Sequence, residues 1–180
     1  LTTLLNEQLK ININDIEYIT NFMDNKNYIN IYNNLIKFSR NKSIFTSFTD
    51  KDTFSDRLLI FLFHFGFFLK EHKKTQKKEL LQDVFDYIFR ELEISIREIG
   101  YGDASINKKM KTYVNSLYSI LEKIDNWDNL NSLEKNQIFE SFFNYEGDIS
   151  KLIKYFDKYS IFLKNRSFNS FVNGVINLEI

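Results

Sequence analysis

The amino-acid sequence predicts an all-α protein, a single-domain bundle of about six to eight helices around a central apolar helix at residues 58–69. Apolar residues recur every three or four positions along two long stretches, which is the period of an amphipathic helix. Residues 58–69 are apolar on every helical face, as expected for a helix that other helices enclose. Long alternating patterns typical of strands are missing, and no proline interrupts the helical stretches. We therefore expect one helical domain over residues 1–180.

The chain before the central helix has the weakest pattern. The first thirty residues have breaks at Asn14-Asp15 and at residues 24–27, and they predict one or two short helices. Thr53 followed by Asp56 is typical of a capping box, so the central helix is expected to begin just after Thr53. Its apolar run is shorter than the roughly 20 residues that span a bilayer, and we therefore expect a soluble protein.

Two amphipathic helices are predicted next. The apolar stripe of the first comprises Leu81, Phe85, Ile88, Leu92, Ile96 and Ile99. The stripe of the second comprises Ile106, Met110, Tyr113, Leu117, Ile120 and Ile124. Acidic residues lie mainly on the opposite face of the first helix: Asp83, Asp86, Glu91, Glu93 and Glu98. We interpret that face as solvated, with i,i+4 pairs such as Asp86–Arg90 and Glu93–Arg97. The alternative is a hydrolytic carboxylate pair, but neither a Gly-rich phosphate loop nor a nucleophile elbow accompanies it, so an enzyme is disfavoured.

The last third of the chain predicts two further helices. Ser132 can cap a helix that runs through Tyr145 and that Gly147 closes, and Asp148 can cap the next one. The buried face of that next helix is expected to comprise Ile149, Leu152, Ile153, Phe156, Tyr159 and Phe162 or Leu163. Residues 126–131 are interpreted as a polar connection.

The segment between the two amphipathic helices, residues 97–103, predicts a tight helical hairpin. Gly100 can adopt the left-handed conformation that ends a helix, and Gly102 lets the backbone bend again. Asp103 or Ser105 can then cap the following helix. Arg97 can lock the hairpin by pairing with Asp103 or Glu93, because its planar guanidinium suits carboxylates.

This segment (Arg97-Glu98-Ile99-Gly100-Tyr101-Gly102-Asp103), followed by Lys108-Lys109-Met110-Lys111, resembles the signature of the ubiquinol–cytochrome c chaperone family, the assembly factors of the respiratory cytochrome bc complex. Weaker similarity is carried by Phe38-Ser39-Arg40, Asp52-Thr53-Phe54, Arg57, Leu62-Phe63-His64, residues 152–155 and residues 171–174. The resemblance covers roughly residues 31–178. Glu91 and Glu93 stand where aspartates are expected, and Ser119-Ile120 follow Tyr118 where a Gly-Arg pair is usual.

The resemblance implies a non-enzymatic assembly chaperone without cofactor or metal. Such a protein would bind newly made cytochrome b, with or without a small partner assembly subunit, and hold it for assembly of ubiquinol–cytochrome c reductase. It would lie in the bacterial cytoplasm, peripheral to the inner membrane, or alternatively on the matrix side of the mitochondrial inner membrane. The missing presequence and the short chain favour a bacterial, alphaproteobacterial-type member.

The residues that this interpretation assigns to client or partner binding are Arg57, His64, Arg97, Glu98, Gly100, Gly102, Asp103, Lys108 and Lys111. A surface for an apolar client also requires exposed aromatic side chains, for which Phe54, Phe63 and Phe67 are candidates. The alternative for His64 is a hydrogen-bonded core residue. The alternative for residues 97–103 is a rigid turn with a purely structural role.

A basic stretch follows the central helix: Lys70, Lys73, Lys74, Lys77 and Lys78. We interpret it as a solvated connection. The alternative assigns Lys73, Lys74, Lys77 and Lys78 to docking on anionic lipid or ribosomal RNA, because clustered lysines attract either. This leads to the second functional hypothesis, a helical peripheral-membrane lipid-binding or adaptor module.

The composition excludes several other functional classes of protein and several kinds of site. Lysines and arginines equal aspartates and glutamates at 24 each, so a general nucleic-acid coat is not expected and neither is sequence-specific nucleic-acid binding. The chain has no cysteine, which excludes disulfides, thiol nucleophiles and cysteine-ligated metals. His64 and His72 are the only histidines, and their spacing does not match the i,i+4 pattern of helical metal ligands. The chain opens at Leu1 without the pattern of a secretory signal, so none is expected.

Overall fold

The computed structural model describes residues 28–41, 44, 53–100, 102–143 and 149–178, and every regular element within these ranges is helical. Residues 28–39 form α1. The elements that follow are α2 (Phe54–His72), α3 (Lys78–Glu98), α4 (Asp103–Ile124), a 3-10 helix (Trp127–Asn129), α5 (Ser132–Glu140), α6 (Ser150–Lys164) and α7 (Phe168–Val172). The prediction of an all-α helical bundle is confirmed. The helices predicted before residue 28 lie outside the described residues. No helix in the described ranges has both the length and the apolarity needed to cross a membrane.

The predicted central helix corresponds to α2. The Asp56 N–H donates to Thr53 Oγ1 at 3.2 Å and the Thr53 N–H donates to Asp56 Oδ2 at 3.3 Å, so the predicted capping box is confirmed. Residues 60–70 of α2 are all buried, and α2 packs against both α4 and α6. A Cβ atom at Gly66 would lie only 3.0 Å from Cγ2 of Ile120. The absence of a side chain at Gly66 is therefore what lets α2 and α4 approach so closely.

Aromatic side chains make up much of the core on both sides of α2. The rings of Phe63 and Phe139 lie 4.9 Å apart, and those of Phe67 and Trp127 lie 5.1 Å apart. Phe63 and Phe67 are excluded as candidates for an exposed aromatic surface, because the helices packed around α2 bury both rings almost completely. Only Phe54, in the first turn of α2, keeps 43% of its surface exposed.

Both predicted amphipathic helices are present as α3 and α4. Every stripe residue of α4 is buried or half-buried, which confirms that stripe. Along α3 the stripe is confirmed from Leu81 to Ile96, but Ile99 is 59% exposed. The prediction that Ile99 is buried is wrong: this residue follows the last residue of α3 and lies at the end of the helix, directly before the Gly100 turn.

The connection between α4 and α5 differs from its prediction. Trp127 is 1% exposed in the 3-10 helix, so residues 126–131 do more than link two helices. The Trp127 Nε1–H donates to Asp157 Oδ1 at 2.9 Å, and Lys135 Nζ donates to the same oxygen at 2.8 Å. The buried Trp127 side chain therefore holds this otherwise polar connection against α6 through its hydrogen bond to Asp157.

The boundaries of the last helices are also corrected. Asn131, not Ser132, caps α5: its Oδ1 accepts from the Glu134 N–H at 3.0 Å, and the Glu134 carboxylate accepts from the Asn131 N–H. The helix ends at Glu140, short of the predicted Tyr145. Gly147 and Asp148 lie outside the described residues. The predicted buried face of α6 is confirmed by Leu152, Ile153, Phe156, Tyr159 and Leu163.

The side chain of Asn34 ties α1 to the segment after α7. Its Nδ2 donates to the Gly174 carbonyl at 2.9 Å, and its Oδ1 accepts from the Ile176 N–H at 2.7 Å. Asn30 adds a bond from its Nδ2 to the Val172 carbonyl at 2.7 Å. These bonds join residues about 140 positions apart in sequence and hold α1 in place beside α2.

Candidate functional site

The turn between α3 and α4 has the predicted glycine geometry at Gly100. Its φ is +99°, a conformation that side-chain-bearing residues rarely adopt, and its N–H donates to the Arg97 carbonyl at 2.9 Å. Gly102 has a φ of −75° and precedes α4 in an extended conformation. The prediction of Ser105 as the cap is wrong, because its hydroxyl donates to the Gly102 carbonyl at 2.8 Å and accepts no N–H of the first turn. Asp103 is the first residue of α4, and its side chain lies outside the described part.

Arg97 makes the predicted pair with Glu93 on α3. Its Nη2 and Nε lie 2.7 and 3.0 Å from Glu93 Oε1. Both side chains are partly exposed, so this pair contributes modestly to stability. Its main consequence is to orient the guanidinium along the last turns of α3. The predicted pairing of Arg97 with Asp103 lies outside the described residues.

A cleft of about 220 Å³ lies beside this turn, between α1, the start of α2 and the end of α3. Three segments that are distant in sequence form its walls. The residues that line it are Tyr32, Ile36, Ser39, Arg40, Phe54, Arg57, Leu58, Phe61, Leu92, Ser95, Ile96 and Ile99. Several of them, including Ser39, Arg40, Phe54 and Arg57, belong to the stretches on which the family resemblance rests.

The side of the cleft between α1 and α3 is closed by a hydrogen bond. The hydroxyls of Tyr32 and Ser95 lie 2.9 Å apart and join α1 to α3. Burial raises the pKa of the Tyr32 hydroxyl, although the Ser95 hydrogen bond opposes this shift. Tyr32 therefore remains protonated at neutral pH, and the two helices are linked by a neutral hydrogen bond.

The rim of the cleft is apolar and charged. Phe54 and Ile99 are 43% and 59% exposed and stand at two sides of it. Among the described lining residues only Arg40 and Arg57 carry a formal charge, and Arg40 is exposed whereas Arg57 is half-buried. The carboxylates of Glu91 and Glu98 also act on the Tyr32 hydroxyl of the lining, so the arrangement can accept an apolar group beside charged side chains of both signs.

His64, by contrast, lies in the core. It has no exposed surface; its Nδ1 lies 2.7 Å from the Ile60 carbonyl oxygen and its Nε2 lies 2.7 Å from the Tyr155 hydroxyl. Burial lowers the pKa of His64 to about 3, so the ring is neutral at physiological pH. The assignment of His64 to client binding is corrected, since a side chain enclosed by α2 and α6 has no surface to offer.

The remaining predicted contact residues surround the turn. Arg97 and Glu98 are exposed at the end of α3, while Lys108 and Lys111 are exposed on the first turns of α4. The structure thus places Arg57 in the cleft and Arg97, Glu98 and Gly100 at the helix end that forms its wall. Lys108 and Lys111 lie on the helix that leaves the turn.

The predicted docking lysines lie at the other end of α3. They are all exposed, but they precede or begin a helix of 21 residues, which places them roughly 30 Å from the cleft. Lys73 is ion-paired with Asp125, and Lys74 Nζ lies 3.1 Å from Glu71. Lys70 is buried 3.5 Å from Asp128, which corrects its assignment to the solvated stretch, because the last turn of α2 packs toward the 3-10 helix.

Tyr32, Ser95 and Ile99 are site residues that sequence reasoning missed. The sequence offered a signal for Ser95, because this small polar residue lies on the same face of α3 as the buried residues Leu92 and Ile96. Ile99 offered another, because it directly precedes the glycine that ends α3. Tyr32 offered none, since its position across from Ser95 depends on how α1 packs.

Comparison with known proteins gives one match. Residues 46–129, which include α2, α3, α4 and the 3-10 helix, match the family model described as ubiquinol-cytochrome C chaperone. No curated protein and no solved structure matches the chain. The resemblance inferred outside residues 46–129 stays a prediction. The matched segment contains the Gly100 turn and much of the cleft wall, and over these residues the chain is similar to the ubiquinol–cytochrome c chaperone family.

Proposed function

We propose that this protein is a non-enzymatic assembly chaperone that binds newly made cytochrome b and promotes assembly of ubiquinol–cytochrome c reductase. The observation that carries the proposal is the cleft, where residues of the matched segment meet α1 beside the Gly100 turn. A helix that is apolar enough to enter a membrane exposes apolar side chains before it is assembled. A surface with its own apolar recess can cover such a side chain and release it later.

The cleft is suited to reversible binding because its walls are rigid. The Tyr32–Ser95 hydrogen bond joins two of the walls, and the Thr53 capping box fixes the first turn of α2, which carries Phe54 and Arg57. Little ordering is then needed when a client side chain enters, so more of the contact energy contributes to binding. The charged residues Arg97, Glu98, Lys108 and Lys111 extend the proposed contact surface around the turn.

The proposal places the chaperone at the inner membrane, where cytochrome b is inserted. Peripheral attachment on the cytoplasmic side in a bacterium is the first expectation, and the matrix side of the mitochondrial inner membrane is the alternative. A small partner assembly subunit would share the exposed surface with the client.

The first test is genetic. Deletion of the gene should lower the amount of assembled cytochrome bc complex while the other respiratory complexes remain near normal. Complementation with the wild-type gene should restore the complex. A deletion strain with normal cytochrome bc levels would refute the proposal.

The second test separates contact from stability. Lys111→Glu should leave the melting temperature nearly unchanged and weaken capture of cytochrome b, because exposed charge changes usually shift stability by no more than about 0.5 kcal/mol. Lys158→Glu, a charge reversal at another exposed lysine on α6, is the matched control and should leave capture intact. Arg97→Ala should lower both stability and capture, since Arg97 pairs with Glu93 as well as facing the contact surface. If Lys111→Glu and Arg97→Ala lose capture only in proportion to stability, the turn is structural and the binding site lies elsewhere.

The second candidate function is a peripheral-membrane lipid-binding module that uses Lys73, Lys74, Lys77 and Lys78. Their exposure at one end of the bundle favours it, whereas the carboxylates paired with Lys73 and Lys74 weaken their attraction for anionic lipid. Flotation with anionic vesicles distinguishes the two functions. Salt-sensitive flotation without client would support the lipid-binding module, and recruitment that requires the client would support the chaperone.

A further inference from the structure

We propose that a second cavity, formed by α6, α7 and the segment 173–178, binds the phosphate group of a small molecule. This α6–α7 pocket shares no lining residue with the cleft described above. Nothing in the proposed chaperone function requires it. The residues that line it are Phe162, Arg166, Ser170, Val175, Ile176 and Asn177.

The size and lining of the α6–α7 pocket suit a small organic molecule. Its volume is about 540 Å³, and pockets for small molecules have volumes of roughly 300–1,000 Å³. Phe162 is half-buried and Val175 is 56% exposed, so both offer apolar surface to a ligand. The pocket therefore has room for an anionic group together with the organic body that carries it.

Arg166 supplies the positive charge of the pocket. Its guanidinium carbon lies 4.9 Å from the centroid of the Phe162 ring, a cation–π contact that orients the group. The rings of Tyr159 and Phe171, each with its centroid 6.3 Å from that of Phe162, fix this ring in turn. Among the described residues Arg166 has no ion pair and no side-chain hydrogen bond. Its N–H groups are therefore available to a ligand.

Asn177 adds donors from the segment 173–178. Lys37 Nζ donates to Asn177 Oδ1 at 2.7 Å, and because an ammonium group can only donate, this contact fixes which amide atom faces Lys37. The amide NH₂ group has no acceptor among the described residues and remains available to a ligand. The neighbouring Ile176 N–H donates to Asn34 Oδ1 at 2.7 Å, which anchors this part of the segment to α1.

No carboxylate competes for these donors within the described part of the pocket walls. Neither α1, α7 nor the segment 173–178 contains Asp or Glu. In α6 the only acidic residue is Asp157, whose Oδ1 lies 2.8 Å from Lys135 Nζ. Asp128 reaches α6 at Lys164, to which it is paired at 2.8 Å, but it does not line the pocket. The charge facing the pocket is therefore positive.

A phosphate monoester matches these donors better than a carboxylate does. One guanidinium can occupy both oxygens of a carboxylate. A phosphate monoester has three terminal oxygens and a charge of about −1.5 to −2 at pH 7, so it can accept from Arg166 and from Asn177 together. The Ser170 hydroxyl donates to the Ser167 carbonyl at 2.6 Å; its oxygen can then only accept, and it takes no part in holding the anion.

The test uses the full chain in Tris chloride buffer, with phenyl phosphate and benzoate as the probes. Both probes carry one ring and differ in the anionic group. Binding is followed by NMR titration of the isotope-labelled protein, in which the backbone signals of Ser170, Val175 and Asn177 report on the pocket and that of Ile99 reports on the cleft. Phenyl phosphate is expected to shift the pocket signals and to bind about three- to tenfold more tightly than benzoate.

Three variants locate the binding. Arg166→Gln should weaken phenyl phosphate binding about tenfold or more, because the charge-assisted hydrogen bonds are lost. Arg90→Gln is the matched control and should leave binding unchanged: Arg90 is also exposed and lies 5.0 Å from the centroid of the Tyr87 ring, but on α3. Asn177→Asp keeps the oxygen that accepts from Lys37 and replaces the amide NH₂ group by a carboxylate oxygen, so it should also weaken binding.

Two further measurements address other sources of an anionic group. Glu179 is the acidic residue nearest to Asn177 in sequence and lies outside the described residues, so Glu179→Gln is included and should leave the affinity unchanged. Vesicles that contain phosphatidic acid, compared with vesicles of phosphatidylcholine alone, distinguish a lipid phosphate from a soluble phosphate ester.

Each outcome supports or overturns the proposal. Pocket signals that shift with phenyl phosphate in the wild type, with much weaker binding by Arg166→Gln, support it. Shifts with phosphatidic acid vesicles and not with phenyl phosphate support the phosphate site and assign the phosphate to a lipid. Equal affinity of the wild type and Arg166→Gln would overturn the site, and equal affinity for phenyl phosphate and benzoate would overturn the choice of phosphate. Binding only by Glu179→Gln, or no shift with any probe, would overturn the proposal as a whole.

Discussion

Acidification from pH 7 to pH 5 should destabilise this protein through its two histidines. Burial lowers the pKa of His64 from 6.5 to about 3 and that of His72 from 6.5 to about 4. His64 and His72 are the only histidines in the chain, and both are almost completely buried. In the folded protein both rings therefore stay neutral at pH 5, while in the unfolded chain both are mostly protonated.

The size of the effect follows from the difference in bound protons. The unfolded state binds more protons below pH 6.5, so the free energy of unfolding falls as the pH is lowered toward the folded-state pKa values. For either histidine the loss between pH 7 and pH 5 is about 2 kcal/mol. The two together reduce the stability by about 4 kcal/mol, a large part of the 5–15 kcal/mol typical of a domain. Asp125 and Asp128, whose pKa values are lowered from 3.8, lose their contributions only at lower pH.

Urea unfolding at pH 7, 6 and 5 measures this loss. Trp127 is the only tryptophan and is buried, so its fluorescence reports on the core. His72→Leu removes one titrating group and should halve the pH dependence. At pH 7 we expect this variant to be as stable as the wild type or more stable by about 1 kcal/mol, because His72 Nε2 is buried among aromatic rings and has no hydrogen-bond partner among the described residues.

The reasoning is refuted if the wild-type protein keeps its stability at pH 5 to within about 0.5 kcal/mol of the value at pH 7. It is also refuted if His72→Leu retains the full pH dependence. Identical slopes of the unfolding free energy against urea at each pH are the control that the unfolded state has not changed.

Three further substitutions test the packing, each by the same urea assay. Tyr155→Phe leaves the buried Nε2 of His64 without its partner and should cost about 1–3 kcal/mol; a neutral result would contradict the role of this bond. Gly100→Ala should cost about 1 kcal/mol because φ is +99°, whereas Gly174→Ala, where φ is not positive and the space around the residue is open, should cost clearly less; equal costs would exclude backbone strain as the cause. Gly66→Val should cost about 1–3 kcal/mol by overpacking against Cγ2 of Ile120, and Ile120→Ala, which removes that atom, should relieve part of the cost in the double variant; strict additivity would mean that the two residues do not compete for space.

Local patterns in the sequence predict much of this fold. The stripes of α3 and α4, the Thr53 capping box and the left-handed Gly100 each depend on residues within a few positions of one another. Helix periodicity and end geometry are local properties, so the sequence contains all that is needed to recognise them. The family signature at residues 97–103 is local in the same sense, and the family match over residues 46–129 includes it.

Burial and the candidate site depend on contacts between distant residues. Phe54 and Phe63 belong to one helix, yet one is exposed and the other fully buried, because α5 and α6 cover only the part of α2 that carries Phe63. Trp127 lies in a polar sequence but is buried, because its ring packs against Phe67 and Phe139 while its Nε1–H donates to Asp157, 30 residues further on. The cleft itself exists because Tyr32 meets Ser95 across 63 residues of chain. Such contacts are set by how whole helices pack, and only the tertiary structure decides which side chain of an apolar stretch remains exposed to meet a partner.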